Sequence, residues 1–168
     1  VGVAEIGTLE ITGPSVAPGY WNRPEETAAA FQGGWIHTGD RVLFDAEGYF
    51  FYCGRADDLF KVGGKWVAPV EIERALLGHE AVWECAVIGV EDDDGLQKPL
   101  AFVVPNVGHA PSPSLAAELI SYVKEEIAPY KYPRWIEFIA ELPRGPHGKV
   151  LRYMLHARGR RRGAAPPR

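Results

Sequence analysis

One stretch constrains the fold more than any other: residues 54–73, which read Gly-Arg-Ala-Asp-Asp-Leu-Phe-Lys-Val-Gly-Gly-Lys-Trp-Val-Ala-Pro-Val-Glu-Ile-Glu. A charged turn, Arg55-Ala56-Asp57-Asp58, follows an aromatic run of strand character. The apolar segment Leu59 to Val62 then meets Gly63-Gly64, where the backbone can take φ > 0 or let a ligand approach closely. Lys65-Trp66-Val67 predicts the returning strand of a tight hairpin. Pro69 suits the first turn of a helix, because its missing N–H is an orphan there in any case. Ile72, Ala75, Leu76 and His79 recur at i, i+3, i+4 and i+7 and predict one face of that helix.

A chain of 168 residues holds one ordinary domain, or a small domain plus a piece of another. Its 46% hydrophobic and 24% charged residues are those of a soluble globular protein. Apolar runs are strand-sized and broken by charges, so no membrane-spanning helix is expected. The net charge of −4 argues against a general nucleic-acid binder. Only the end is basic: Arg158, Arg160, Arg161, Arg162 and Arg168 stand among Gly, Ala and Pro, and residues 159–168 read as a disordered tail. Cys53 and Cys85 sit in strand-like runs without a C-x-x-C arrangement, which predicts a reduced, buried pair in a cytoplasmic protein. The five His show no ligand spacing, so no metal site is expected. Val1-Gly2-Val3-Ala4-Glu5 has no initiating Met and no signal core, and reads as a cut edge.

Before the charged turn at 55–58 the pattern is mainly β. Gly7 to Thr12 alternates and closes on the turn Gly13-Pro14. Glu25 to Phe31 predicts an Ala-rich helix stopped by Gly33-Gly34. Trp35 to Thr38 and Arg41 to Phe44 predict two strands around a Gly39-Asp40 corner, and Asp45 to Gly48 a turn into Tyr49 to Cys53. After that charged turn, Val82 to Val90 and Pro99 to Val104 predict strands joined by the acidic loop Glu91 to Gly95, which lacks the spacing of a calcium loop. Ser112-Pro113 supplies an N-cap and first turn. Leu115, Leu119, Val123 and Ile127 recur every four residues and give that helix a buried face. Trp135 to Ile139 predicts a last strand and Arg152 to Arg158 a short helix.

The 54–73 stretch resembles the hinge and core motif of the adenylate-forming superfamily: acyl-CoA synthetases, luciferases and peptide-synthetase adenylation domains. Three more of that family's motifs follow the same order: Trp35-Ile36-His37-Thr38-Gly39-Asp40, Gly48-Tyr49-Phe50, and Leu142-Pro143 through Gly148-Lys149. The run Ala128-Pro129-Tyr130-Lys131-Tyr132-Pro133-Arg134-Trp135-Ile136-Glu137-Phe138 is most similar to the benzoate-CoA ligase branch. The resemblance spans nearly all of residues 1–158, the last third of a usual member. That family's Ser/Thr/Gly-rich phosphate loop and its Tyr-Gly-x-Thr-Glu motif do not occur in the sequence, so the chain reads as a C-terminal piece that is inactive alone.

Asp40 follows a glycine at a strand end, where a carboxylate can accept two hydrogen bonds from a ribose diol or simply form a turn. The resemblance implies that it holds the ATP ribose. Arg55 either pairs with Asp57 or Asp58 or, as the resemblance implies, contacts the nucleotide. By the same likeness Asp57 is the hinge on which a lid swings between an adenylation pose and a thioester pose. Lys61, in K-x-x-G, then serves the second pose, and Gly63 and Gly64 line the pantetheine tunnel. Lys149 is the catalytic lysine that reaches both carboxylate and α-phosphate, although a loop lysine is usually just solvated. Here Gly145-Pro146-His147 replaces the Thr or Ser usual before Gly-Lys, which bears on the loop's contacts.

The expected fold is α+β. Residues 1–57 form the β-rich end of a large nucleotide- and acyl-binding domain, and residues 58–158 a mobile lid of one short antiparallel sheet with flanking helices. The resemblance implies an AMP-forming ligase that activates an aromatic acid with ATP and Mg²⁺ and hands the acyl group to coenzyme A. Its partners would be those small molecules and the N-terminal domain of the same polypeptide, with no nucleic acid. The alternatives are a peptide-synthetase-type adenylation domain loading a carrier protein, or a standalone non-catalytic module of this fold.

Overall fold

In the computed structural model, which describes residues 6–160, the chain divides into two compact units, Val1–Asp57 and Asp58–Arg168. The first unit contains β1 (Ile6–Ile11), α1 (Pro24–Ala30), β2 (Phe31–Gln32), β3 (Trp35–Phe44) and β4 (Phe50–Arg55). The two strands expected around Gly39-Asp40 are a single strand, β3, and the corner is a register shift between Asp40 and Val42. A bulge of this kind re-aims a side chain without ending the strand. β3 is central: Leu43 faces Ile6 of β1 and also Phe51 of β4, while β2 pairs with the start of β3. All these pairings are antiparallel.

Among the described residues of this unit, Val42 is the one buried hydrophobic side chain. Tyr49, Phe50, Phe51 and Tyr52 are each about half exposed or more, so β4 and the residue before it present aromatic rings to solvent. A sheet held by its backbone ladder with so little apolar burial is marginal by itself.

A single turn of 3-10 helix, Ala56–Asp58, carries the chain across the boundary, and the second unit contains β5 (Phe60–Val62), β6 (Lys65–Val67), α2 (Pro69–Leu77), β7 (Val82–Glu91), β8 (Gln97–Pro105), α3 (Pro113–Glu126), β9 (Trp135–Phe138) and α4 (Arg152–Arg160). α2 ends at the Gly78 cap, so His79 lies beyond the helix rather than on its face. There its ring stacks edge-on against Tyr122 and its Nδ1 accepts the Ala81 N–H. The Ser112 hydroxyl accepts the Leu115 N–H, capping α3 as its sequence predicts.

The three-stranded sheet has the order β7-β8-β9. β7 and β8 are antiparallel, but β8 and β9 are parallel, so the sheet is mixed where a wholly antiparallel one was expected. The reason is α3: a long crossover helix lets the chain re-enter the sheet in the same direction. Side-chain alternation along β7 and β8 then serves two cores. Val87, Ala101 and Val103 pack with Ile72 and Leu76 of α2, Leu115, Leu119 and Val123 of α3, and Phe60 of the hairpin. Ala86, Ile88, Leu100, Phe102 and Val104 pack on the other face with Leu142 and with Leu155 of α4. A strand buried on both faces reads as a continuous apolar run, and Leu100 to Val104 is one. α4 continues through Arg160, two residues past the expected end of the lid, so Gly159 and Arg160 belong to the helix. The rest of the expected basic tail, residues 161–168, lies outside the described residues, as does the N-terminal edge, residues 1–5.

Candidate functional site

In the first unit the β3 bulge and the pairing of β3 with β4 bring Asp40 opposite Arg55. The Arg55 guanidinium donates through Nη1 to the Thr38 carbonyl at 3.0 Å and to Asp40 Oδ1 at 3.3 Å. Its other terminal nitrogen donates to Asp57 Oδ2 at 3.4 Å. Of the two readings of Arg55 from sequence, the ion pair is the one seen: Arg55 bonds Asp57 and also Asp40, while Asp58 turns elsewhere. Asp40 is engaged rather than projecting alone, and its own N–H donates to Thr38 Oγ1 at 3.1 Å. Thr38 Oγ1 in turn donates to the Leu9 carbonyl at 2.9 Å. Thr38 was not singled out from sequence as a positioning group; the signal was its place in Thr38-Gly39-Asp40. Gly39 carries φ +75°, and a Cβ there would stand 2.7 Å from Arg55 Nη2. The arginine tip lies over the glycine, and the positive φ is what favours glycine there.

Lys61, Gly63 and Gly64 share the β5–β6 hairpin of the second unit. Gly63 and Gly64 have φ +57° and +80°, as both central residues of a two-residue hairpin turn of the primed type require. No described atom lies within 4 Å of a Cβ built on either one, so the turn's backbone, not crowding from the chain, is what demands glycine. Lys61 is exposed and pairs across the hairpin with Trp66, its Nζ lying 4.7 Å from the indole centroid. The tryptophan is 61% exposed and offers the ammonium a π face rather than a buried socket.

Lys149 is exposed on a separate loop of the same unit. The main chain of that loop is tied at several points. Arg144 and Val150 form a bridge, the Gly145 N–H donates to the Lys149 carbonyl at 2.9 Å, and the Leu151 N–H donates to the Pro143 carbonyl at 2.8 Å. Arg144 braces it further, donating to the Gly148 carbonyl at 2.7 Å and pairing with Glu84 of β7. The lysine side chain is presented to solvent from this frame. A cationic group on a braced loop suits charge stabilisation, because little reorganisation is needed when charge develops.

A further polar cluster was not foreseen. Arg152, at the start of α4, pairs through Nε with Asp58 at 3.0 Å and through Nη1 with Glu73 of α2 at 2.8 Å. It also donates to the Val87 carbonyl at 2.8 Å, while Glu73 accepts the Val87 N–H at 2.8 Å. Its members come from four separated segments, so no local pattern could announce it. Cys85 stands beside it, with Sγ 3.5 Å from the Glu73 carbonyl; burial first, and then the Glu73 carboxylate, push its thiol up to about 12. Both cysteines are half-buried free thiols rather than fully buried ones. Among the described residues no group of His, Cys, Asp or Glu is arranged to hold a metal ion, and no helix is long and apolar enough to cross a membrane.

Residues 71–149 match the AMP-binding enzyme C-terminal domain. Among curated relatives, the benzoate–CoA ligase of Thauera aromatica is 51% identical over 151 residues, covering 90% of this chain and 29% of that enzyme. A long-chain-fatty-acid–CoA ligase of Bacillus subtilis is 42% identical over 90% of the chain and 26% of its own length. Among solved structures, an anthranilate CoA ligase in complex with anthranoyl-AMP superposes with a TM-score of 0.92 at 42% identity, covering 98% of this chain and 32% of that one. The chain thus spans about three tenths of the length of the relatives it matches. These relatives are named for thioester formation with CoA, which does not favour the carrier-protein alternative.

Proposed function

We propose that residues 1–168 are the C-terminal part of an AMP-forming carboxylate–CoA ligase whose acid is aromatic. The observation that carries this is the Arg55 fork, which joins the Thr38-Gly39-Asp40 strand to the hinge residue Asp57, within a chain half identical to a benzoate–CoA ligase. In the first half-reaction a carboxylate oxygen attacks the α-phosphorus of ATP, and pyrophosphate leaves. In the second the CoA thiol attacks the acyl carbon, and AMP leaves. Mg²⁺ enters with ATP as part of the substrate, shielding the triphosphate. Because ATP and CoA are cytoplasmic metabolites, the enzyme works in the cytoplasm. The aromatic choice rests on the higher identity to the benzoate enzyme than to the fatty-acid one. Residues 1–168 alone are not expected to catalyse either step.

In this reading the Asp40 carboxylate takes the ribose hydroxyls, and Arg55, braced by the Thr38 carbonyl, holds that carboxylate in place and adds positive charge beside the nucleotide. Lys149 lies against the α-phosphate in the adenylation pose, where its ammonium offsets the charge developing between carboxylate and phosphate. Rotation about Asp57 then brings the hairpin to the acyl-adenylate. Gly63 and Gly64 leave a backbone wall past which the pantetheine arm can slide, and Lys61 acts beside them.

Single-turnover kinetics of each half-reaction in the intact ligase test this. Lys149→Ala is expected to slow adenylation by ~10²-fold or more, yet to turn supplied acyl-adenylate into thioester at close to the normal rate. Lys61→Ala is expected to do the reverse. Equal slowing of both steps by Lys149→Ala would sink the two-pose assignment.

A further inference from the structure

Two consecutive carboxylates at the unit boundary are held very differently. Asp57 is 82% exposed and reaches Arg55 at 3.4 Å, a contact of the kind that water and salt readily loosen. Asp58 is 25% exposed and meets Arg152 at 3.0 Å. Arg152 does not hold it alone, for the same guanidinium is fastened to Glu73 on α2 and to the Val87 carbonyl on β7. Two residues on, Phe60 is buried over Gly89, where even a Cβ would come within 2.6 Å of the ring. The chain is therefore bolted into the second unit from Asp58 onward, while residue 57 is tied only lightly. Arg152 also sits three residues beyond Lys149, directly after the Leu151 N–H that closes the lysine loop on Pro143.

We propose that the Asp58–Arg152 ion pair confines the swivel to the dihedrals of Asp57, making Asp58 and Arg152 positioning residues for both half-reactions. The inference rests on the two-pose reading above. A pivot one residue wide lets a rigid lid alternate between two defined poses, since few dihedrals need to change. With the pair broken, rotation spreads over residues 57–59. Both poses then become broad, and the hairpin and the lysine loop reach their places less often. With neither residue assigned a substrate contact in that reading, the loss belongs in kcat rather than in KM.

The test uses the intact ligase, with Asp58→Asn and Asp58→Glu compared with the unsubstituted protein. Asp58→Asn is expected to slow both half-reactions about fivefold to tenfold, the scale of one hydrogen bond's net contribution. KM for ATP and CoA should stay near normal, and Asp58→Glu should restore most of the rate. Amide hydrogen exchange should rise at residues 58–61 and stay unchanged on α2 and β8. The proposal is overturned if both rates stay within twofold, if the loss disappears well below the melting temperature, or if exchange rises throughout the second unit. If the unsubstituted protein makes no acyl-adenylate, the proposed function fails instead, and exchange at residues 58–61 still decides whether the ion pair pins the joint.

Discussion

Cys85 and His156 show how single groups tie the second unit's stability to pH, with opposite signs. The Cys85 thiol is raised from its ordinary 9.0 to about 12, by burial and then by Glu73. Below pH 9 it is protonated in folded and unfolded chains alike. Between 9 and 12 the unfolded chain loses the proton while the folded one keeps it, so stability falls as pH rises through that window. Cys85→Ala is therefore expected to flatten the alkaline fall, by at most about 1.4 kcal/mol per pH unit for one proton. Urea melts of both proteins from pH 8 upward would measure it, and parallel curves would refute it. His156 is lowered below its usual 6.5, first by burial and then by Arg160. The unfolded chain takes up that proton first on acidification, so this residue costs stability as pH falls below 6.5. Neither effect was legible in the sequence. Cys85 was placed correctly in a strand, but its carboxylate neighbour comes from a helix twelve residues away.

At the scale of elements, the β5–β6 hairpin was the most legible part of the chain. Its turn needs positive φ at two adjoining positions, and only glycine adopts that without strain, so Gly63-Gly64 announced it. Gly64→Val is expected to destabilise the second unit by about 1–2 kcal/mol, the cost of a left-handed residue bearing a Cβ. Gly64→Asn should cost less, because asparagine tolerates that region. Equal midpoints for glycine and valine in chemical denaturation would show that φ does not govern the turn. The helices α2 and α3 were equally readable, since a proline in the first turn and a four-residue apolar repeat are local signals. What failed at this scale was β3, divided in two by reading Gly39 as a break. A glycine inside a strand can mark a bulge instead, and the partner strands decide which.

For the whole molecule, the two units differ in how much they bury. Val42 alone is buried among the described hydrophobic side chains of the first, whereas the second packs a sheet on both faces. Residues 1–57 expressed alone are expected to give no cooperative thermal transition, while residues 58–168 should give a single one by calorimetry. A sharp transition in 1–57 would show that its exposed aromatic strand needs no covering. The hinge reading makes its own claim at this scale. In the intact ligase Asp57→Pro fixes φ at the pivot, and adenylate formation is expected to survive while thioester formation collapses. Equal loss of both half-reactions would point to misfolding instead.

By itself, the sequence determined whatever depends on neighbours along the chain: the hairpin, the capped helices, the apolar runs, and the ordered motifs that carry the family likeness. The tertiary structure alone decided which distant groups meet. It placed Asp40 and Asp57 on one arginine, joined Asp58 and Glu73 through Arg152, braced the lysine loop with Arg144 and Glu84, and set β9 parallel to β8. The reason is that a turn or a helix cap is satisfied by atoms a few residues away. An ion pair between segments has its energy only after the cores have packed and brought the charges within reach, and no period or spacing in the chain encodes that distance.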